Sequence, residues 1–333
     1  MRIRIISSLV VAAAALALVV SVSGCGGSSS AEGSSGSKSV SLVAYSTPQV
    51  VYDQIIPAFK KIEAGAGVSF KESYGASGDQ SRAVEAGLKA DIVAFSLAPD
   101  VDRLVKDGLV SPDWASATPH NGFVSTSLVS FIVRKGNPKG IHGWDDLLRP
   151  GVKVVTPNPF TSGAAKWNLL GAYQHGGLGY VSKLIRDHVA VQPKSGREAL
   201  QTFTAGEGDV LISYEYEYTT AVKKGEKGLE LVQPRDTLKI ENPIATTRAA
   251  SPAANAFVKY VLSPAGQQAF ADWGYRPVDP ATLARNKSKF PDPAKVTTIA
   301  QLGGWDKLDK DLFDPESGSV AKIEQDAGVS TAK

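Results

Sequence analysis

Apolar runs rich in β-branched residues alternate with amphipathic segments along the chain from Ser39 onward. The run "ADIVAFS", for example, is followed by "APDVDRLVKDG", in which apolar positions recur every three or four residues. Such alternation is typical of βαβ units, whose strands form a buried, largely parallel sheet with helices on its faces. The pattern therefore predicts an α/β fold.

The pattern divides into strand–helix pairs, a long strand, two late helices and a tail. The pairs are expected at residues 39–45 with 47–64, 68–74 with 77–90, 90–96 with 98–108, 153–157 with 162–173, 188–194 with 195–206, and 209–214 with 215–225. The long strand is expected at residues 127–138, and Pro264 should split residues 251–274 into two helices. The tail of residues 314–333 is predicted to dock only loosely.

The first 24 residues have the composition of an export signal. Arg2 and Arg4 precede an apolar run that ends at "VSGC" and is shorter than the ~20 residues that a membrane span needs. "VSGC" resembles a bacterial lipobox, so Cys25, the only cysteine, is predicted to be lipidated and to anchor the protein. Residues 25–39 are rich in Gly and Ser and should form a flexible tether. Together these features predict a signal peptide at 1–24 and a location on the outer face of the cytoplasmic membrane.

The chain carries little net charge. Its 333 residues sum to +3, which falls to +1 when the two arginines of the signal are removed with no acidic residue lost. A general nucleic-acid binder would show a basic stripe, so this class is disfavoured. Any small anion that binds here must be recognised by something other than a strong positive field.

Four predicted strand ends are followed by a helix start that carries a hydroxyl. Thr47 opens one helix, Ser77 and Ser195 each precede a Gln or Glu at capping-box spacing, and Thr161 or Ser162 opens the helix at "SGAAKWN". The first turn of a helix has unpaired N–H groups and a partial positive charge. In open α/β sheets such helix starts converge beyond the carboxyl ends of the strands. The four junctions together predict an anion site.

The sequence contains no recognisable motif for catalysis, a metal or a nucleotide. "GASGD" lacks the second glycine of a nucleophile elbow, "TSGAAK" lacks phosphate-loop spacing, and the four histidines form no close pair. These histidines are expected to be solvated or to cap helices. Glu215 and Glu217 have the spacing of paired catalytic carboxylates, but they are expected to lie exposed at the rim of the site. Asp79 is expected to face solvent. We therefore expect neither an enzyme nor a bound metal or cofactor.

Several stretches resemble the bacterial sulfate/thiosulfate-binding proteins, the extracytoplasmic receptors of ABC importers. They are "YGASGDQSRAVEAGLKADIVAFSLAPDVDRL", "SFIVRKGNPKGIHGWDDLLRPGVKVVTPNPFTSGAAKWN", "GDVLISYEYE" and "KYVLSPAGQQAFADWGYRP", which span most of residues 40–280 in unbroken order. The resemblance implies a two-lobed fold of the type II periplasmic-binding-protein class, each lobe a mixed, largely parallel sheet flanked by helices. Residues 40–130 and 246–333 would form lobe I, residues 131–245 would form lobe II, and the ligand would lie between them.

The resemblance also implies which groups bind sulfate. In the family the oxyanion is bound mostly by main-chain N–H groups at helix starts, and no counter-charged side chain touches it. The groups carried over to this chain are the N–H of Ser46, the hydroxyl of Ser77, the N–H groups of Ser162, Gly163, Ala164 and Gly196, and the phenol of Tyr214. These positions coincide with the four junctions.

Four of these positions depart from the family pattern. Relatives often carry Asp at Ser46, Gly at Ala164, Ala at Gly196 and Trp at Tyr214. Only the last changes the chemistry, because a phenol both donates and accepts whereas an indole only donates. Thiosulfate, molybdate and phosphate therefore stay open as alternative ligands, with a hydrolytic enzyme a distant third. The expected partners are an ABC permease and the membrane, and the protein is expected to be a monomer.

Overall fold

A computed structural model describes residues 38–332 of the chain. The predicted signal peptide, Cys25 and nearly all of the predicted tether lie outside these residues. The first strand begins at Ser39, where the hydrophobic pattern predicts it. Within the described range, none of the helices has the length and apolar character that a bilayer crossing requires.

The described strands belong to a single mixed sheet. They are β1 Ser39–Tyr45, β2 Ser69–Gly75, β3 Ile92–Ala94, β4 Phe123–Arg134, β5 Val154–Val155, β6 Val189–Val191, β7 Val210–Tyr214, β8 Leu229–Val232, β9 Asp236–Thr246, β10 Arg276–Pro277 and β11 Lys295–Thr297. The main order is β2-β1-β3-β9-β4-β7-β5-β6. The strands of the βαβ units pair in parallel, whereas β4 and β9 pair antiparallel with each other and with β7 and β3.

Helices follow the strands as the pattern predicts. They are α1 Gln49–Phe59, α2 Ser77–Glu85, α3 Ala98–Lys106, α4 Gly163–Lys183, α5 Gly196–Thr204, α6 Glu215–Lys223, α7 Pro252–Val261, α8 Pro264–Asp272, α9 Pro280–Arg285, α10 Trp305–Leu308 and α11 Ser319–Asp326. Pro264 is the first residue of α8, so it separates α7 from α8 as expected. Proline is favoured there because the first helical N–H has no intrahelical partner.

The long strands β4 and β9 join the two parts of the sheet. The first half of β4 pairs with β9, its second half pairs with β7 and β8, and the end of β9 pairs with β3. The predicted crossings between lobes, near Phe131 and Ile244, fall inside these two strands. The division of the chain into lobes at 130/131 and 245/246 stays a prediction.

The central strands are buried on both faces. All residues of β3 and β7, and six of the seven in β1, are buried. Helices cover both faces, so these strands are continuous apolar runs instead of alternating ones. These strands can therefore be predicted from the sequence as unbroken apolar runs. The first polar residues after each run lie where the strand ends and leads to a helix start.

The C-terminal tail is not loosely docked, and that prediction is wrong. Residues 319–326 form α11, which packs against α4 and the π-helical turn Leu184–His188 that follows it. Val320, Ala321 and Glu324 lie on one face of the helix and are buried. The tail therefore contacts an element of the expected lobe II, although its own residues were expected in lobe I.

Candidate functional site

All seven residues that the sequence analysis singled out line one small cavity. They share it with six further residues, namely Tyr45, Thr47, Gly75, Ala76, Ser96 and Ser195. None of these thirteen side chains is an acid, a lysine or an arginine. The cavity therefore offers hydroxyls, phenols and main-chain groups, but no formal charge.

The cavity lies where strand ends and helix starts meet. Ser46 directly follows β1, Ser77 opens α2 after β2, Gly163 opens α4 after β5, Gly196 opens α5 after β6, and Tyr214 ends β7. Strands β1 and β2 are parallel, as are β5, β6 and β7, so the carboxyl ends within each group lie at one edge. The predicted convergence of the junctions is therefore present.

Among the seven residues that the sequence analysis singled out, five main-chain N–H groups have no hydrogen-bond acceptor within residues 38–332. They belong to Ser46, Ser77, Gly163, Ala164 and Gly196. Four of these are in the first turns of α2, α4 and α5, where an N–H has no partner inside its own helix. The dipoles of the three helices add partial positive charge at the same place. Such a cluster of neutral donors suits an anion.

Ser162 lines the cavity, but its N–H is engaged elsewhere. The N–H donates to the carbonyl of Asn158 at 2.9 Å and so closes the turn before α4. Ser162 is the N-cap of that helix, with an extended backbone and no side-chain cap bond. The expectation that its N–H reaches the ligand is not met in this structure, because the turn uses that donor.

The hydroxyl of Ser77 is also engaged. It donates to Asp100 Oδ2 at 2.6 Å and accepts from the N–H of Ser96 at 2.9 Å. A serine hydroxyl has a single proton, so donation to Asp100 leaves none for a ligand. The predicted role of this hydroxyl is therefore not met here, and the unpaired donor of Ser77 is its N–H.

Tyr214 places its phenol at the cavity. The phenol oxygen lies 2.6 Å from Ser96 Oγ, and the ring stacks on Tyr216 with centroids 4.7 Å apart. Tyr216 in turn stacks on Tyr275 at 3.6 Å. Burial raises the pKa of Tyr214 well above its ordinary value, so the phenol keeps its proton at neutral pH. It is therefore a donor or an acceptor, and not a second anion.

Only one of the four predicted side-chain caps is present, since Ser162 also makes no side-chain cap bond. Ser195 Oγ accepts from the N–H of Glu198 at 3.2 Å and caps α5. The N-caps of α1 and α2 are instead Pro48 and Ala76, and neither caps through a side chain. The hydroxyl of Thr47 lies 2.9 Å from the phenol oxygen of Tyr216, a long-range partner that no local pattern reveals.

The prediction that Glu215 and Glu217 form an exposed rim is wrong. Both belong to α6 and both are buried. Glu215 accepts two hydrogen bonds from Arg276, at 2.6 and 3.0 Å. Glu217 lies 3.3 Å from Arg197, and burial raises its pKa. Each carboxylate faces an arginine because an unpaired buried charge would be too costly.

Hydrogen bonds connect the segments that follow β1, β2 and β3 to those that follow β5 and β6. The N–H of Gly78 donates to the carbonyl of Thr161 at 3.2 Å, and the indole of Trp167 donates to the carbonyl of Ser96 at 2.9 Å. The guanidinium of Arg197 donates to the carbonyl of Thr47 at 2.7 Å. These contacts hold the start of α2 and the end of β3 against the start of α4, and the start of α5 against Thr47.

The histidines and Asp79 only partly follow expectation. His142 is exposed, and Asp79 pairs with Arg82 in the first turn of α2 and is about half exposed, as predicted. His175 is not simply solvated, because its two ring nitrogens lie 2.8 Å from Asp236 and 3.1 Å from Asp145. In residues 38–332 no group of three or more His, Cys, Asp or Glu side chains is arranged to bind a metal.

Sequence reasoning missed Ser96, which links several parts of the site. It follows β3 at the end of "ADIVAFS", and it contacts Ser77, Tyr214 and Trp167. Its position at a fifth strand end was a usable signal. It was overlooked because no hydroxyl-capped helix start follows it directly.

The larger cavities of the described residues lie elsewhere. One of 750 Å³ runs between the π-helical turn after α4 and the end of α11, and one of 640 Å³ lies between α3 and residues 306–315. The second has acidic and basic side chains in mixed order.

Comparison with known proteins gives consistent matches. The family model of bacterial extracellular solute-binding proteins matches residues 40–276. A sulfate-binding protein of Synechococcus elongatus is 40% identical over 96% of this chain and 96% of its own. A thiosulfate-binding protein of Pseudomonas aeruginosa is 35% identical over 81% of this chain and 88% of its own. The solved structure of the sulfate-binding protein SubI from Mycobacterium tuberculosis H37Rv is 47% identical, with a TM-score of 0.80 over 83% of this chain and 99% of its own.

Proposed function

The chain belongs to the bacterial extracellular solute-binding proteins, in the group of sulfate- and thiosulfate-binding proteins, and we propose that it is a sulfate receptor for an ABC importer. The observation that carries the proposal is the uncharged cavity, at which five of the seven predicted residues have an unpaired main-chain N–H group. The sulfate-binding relatives named above support the choice of ligand. Binding and release, without chemistry, are the proposed activity.

Neutral dipoles suffice to bind a dianion when enough of them converge. An unpaired buried anion costs tens of kcal/mol, so each oxygen must be hydrogen-bonded. A hydrogen bond to a charged oxygen is roughly twice as strong as a neutral one. The first-turn N–H groups of three helices are fixed by their own backbones, so little entropy is lost when they bind.

The proposed ligand contacts are main-chain donors supplemented by one phenol. The N–H groups of Ser46 and Ser77 would approach from one side, and those of Gly163, Ala164 and Gly196 from the other. The phenol of Tyr214 would add a donor by turning from Ser96. Ser162 lines the cavity and supports the turn before α4.

A site built from donors discriminates between anions by their protons. At neutral pH sulfate has no proton, whereas phosphate usually has at least one. The phosphate O–H would face an N–H, and such an unmade buried hydrogen bond costs about 1–3 kcal/mol. We therefore expect sulfate to bind more tightly than phosphate by about tenfold or more.

The test is calorimetry on residues 38–333 at pH 7 with sulfate and phosphate in separate titrations. Equal affinities for the two anions would contradict the donor-only mechanism. Competition with thiosulfate and molybdate against bound sulfate decides the ligand within the oxyanion class. Thiosulfate is the favoured alternative because one relative that matches over most of the chain is named for it.

The cellular arrangement completes the proposal. Export by residues 1–24, lipidation at Cys25 and the tether to 39 would hold the receptor at the outer face of the cytoplasmic membrane. Two lobes, 40–130 with 246–333 and 131–245, would close on the ion and present their surfaces to the permease as a monomer. Mass spectrometry of the native protein, showing an N-terminal acylated Cys25 or an unmodified one, checks the anchor.

A further inference from the structure

The segment of residues 319–330 comprises α11 and the four residues after it. It contacts the turn before α4 and the turn before α5. Glu324 of α11 accepts hydrogen bonds from the side-chain amide of Gln192, which lies four residues before Gly196. Ser330 accepts a hydrogen bond through its carbonyl from the side-chain amide of Asn158, at 3.0 Å. We call this segment the brace.

Asn158 also forms hydrogen bonds within the turn that precedes α4. Its carbonyl accepts from the N–H of Ser162 at 2.9 Å, and its side-chain carbonyl accepts from the N–H of Phe160 at 2.7 Å. Its own N–H donates to the carbonyl of Pro193 at 2.9 Å. Asn158 therefore joins the turn before Gly163 to the segment before Gly196, with the brace as the third partner.

The pair of Glu324 and Gln192 has an unusual hydrogen-bond balance. Glu324 is fully buried, and both of its oxygens lie near the same nitrogen of Gln192, at 2.9 and 3.0 Å. The side-chain oxygen of Gln192 is buried and has no hydrogen-bond partner in the described residues. A protonated Glu324 could donate its O–H to that oxygen while its carbonyl accepts from the amide nitrogen. Protonation thus satisfies an atom that is otherwise unpaired.

No neighbouring cation stabilises the ionised form of Glu324 in place of that proton. Burial raises the pKa of Glu324 from 4.5 to about 7, and only the bond from Gln192 opposes it. The elements that pack against α11 carry Lys183, Arg186, Asp187 and His188 on one side and Asp309, Lys310 and Asp311 on the other. None of these groups contributes to the pKa of Glu324, and Arg186 pairs with the exposed Asp326.

We propose that the brace positions the two anion-binding turns at 158–164 and 192–196, and that the Glu324–Gln192 contact couples its docking to the affinity of the site. The proposal rests on the sulfate-binding function proposed above. Glu324 is a positioning residue, because it does not line the cavity. Docking and ligand binding then favour each other, as linkage requires.

The coupling has a definite sign with pH. A carboxyl whose pKa is higher in the docked state favours docking fully below the undocked pKa and loses this contribution as pH rises through the docked value. Docking should therefore weaken from about pH 4.5 to about pH 7 and then level off. Sulfate keeps the same charge throughout this range, so the ligand itself adds no pH dependence.

The experiment measures proton uptake on sulfate binding. Calorimetry at pH 6 in buffers of different ionisation enthalpy should show a fraction of a proton taken up by the wild type. Glu324→Gln reproduces the protonated pairing with an amide, so it should take up none. It should also bind sulfate at pH 8 about threefold or more tightly than the wild type, with equal affinity at pH 4.5.

Asp326→Asn is the matched control. It removes a carboxylate from the same helix, but this one is exposed and pairs only with Arg186, which is also exposed. It should keep the wild-type proton uptake and pH profile. Gln192→Leu removes the pair from the other side, so it should weaken sulfate binding at pH 6 and speed amide exchange in residues 319–330.

Identical pH profiles and no proton uptake in the wild type and Glu324→Gln would overturn the proposal. If the wild type binds no sulfate at any pH, the proposed function fails and the brace is tested on its own. Amide exchange of the ligand-free protein should then, after correction for intrinsic rates, be faster in residues 319–330 at pH 8 than at pH 4.5. The same protection at both pH values, or the same change in Glu324→Gln, would rule out the Glu324 contact.

Discussion

At the scale of single residues, the structure changes the role of Ser77. Its hydroxyl bonds to Asp100 and to the N–H of Ser96, so it orders the site instead of offering a proton to it. Asp100 also pairs with Arg103 at 3.2 Å, which compensates part of its buried charge. The side chain is thus structural, and the N–H of the same residue is the proposed ligand donor.

Ser77→Ala should lower the free energy of unfolding by about 1–3 kcal/mol without ligand, because the Ser96 N–H loses its acceptor and Asp100 a donor. Denaturant unfolding measures this loss, and calorimetry measures sulfate affinity in parallel. A protein of unchanged stability that has lost most of its affinity would show instead that the hydroxyl contacts the ion.

Gly163 shows why the helix start must lack a side chain. A Cβ added there would lie 2.6 Å from both Cβ and Oγ of Ser96 and 2.9 Å from a methyl of Leu97. Gly163→Ala should therefore prevent the two groups of junctions from meeting, with a loss in sulfate binding of about 1–3 kcal/mol as for other overpacked contacts.

Gly179→Ala is the matched control for this change, since it lies in the same helix and a Cβ there meets nothing within 4 Å. It should bind sulfate as the wild type does and gain slight helix stability. Equal affinities for the two alanine variants would show that close approach at Gly163 is not required.

At the scale of elements, His175 joins α4 to two other segments. Its ring nitrogens contact Asp236 at the start of β9 and Asp145 in the 3₁₀ turn Trp144–Leu148, and the ring stacks on Trp144 at 6.1 Å. Partial burial lowers the pKa of His175, but the bonds to Asp236 and Asp145 outweigh it, so the pKa is raised overall. The imidazolium is thus favoured in the folded state.

The stability that His175 contributes should depend on pH. A histidine with a raised folded pKa contributes fully below the unfolded value of about 6.5 and loses the contribution as pH rises through the folded value. Chemical denaturation from pH 5.5 to 8.5 should show this decline in the wild type. In His175→Gln the decline should be smaller, and an unchanged slope would exclude the histidine as its source.

At the scale of the whole described chain, β4 and β9 are the connections about which two lobes would move. The contacts near the cavity from Gly78 to Thr161 and from Arg197 to Thr47 join the segments that follow β1 and β2 to those that follow β5 and β6. A ligand that binds both sides favours the closed arrangement over an open one by its differential affinity.

Sulfate should therefore make the protein more compact. Small-angle X-ray scattering on residues 38–333 should show a smaller radius of gyration with sulfate than without it. Gly163→Ala should show little change, because its closed form is obstructed. A wild-type radius that does not respond to saturating sulfate would contradict closure by two lobes.

The sequence by itself determined the α/β class, the six strand–helix pairs between residues 39 and 225, and the four junctions that meet at the cavity. These follow from local rules, namely hydrophobic periodicity, proline at helix starts and small or hydroxyl residues at junctions, whereas the family resemblance supplied the seven site residues and the ligand class. Tertiary structure alone decided which donors are free. The hydroxyl of Ser77 and the carboxylates of Glu215 and Glu217 have partners distant in sequence that no periodicity indicates. The N–H of Ser162 is taken up by the turn that Asn158 forms before α4. A local pattern fixes where a polar group stands, but the pairing of that group depends on what the folded chain brings against it.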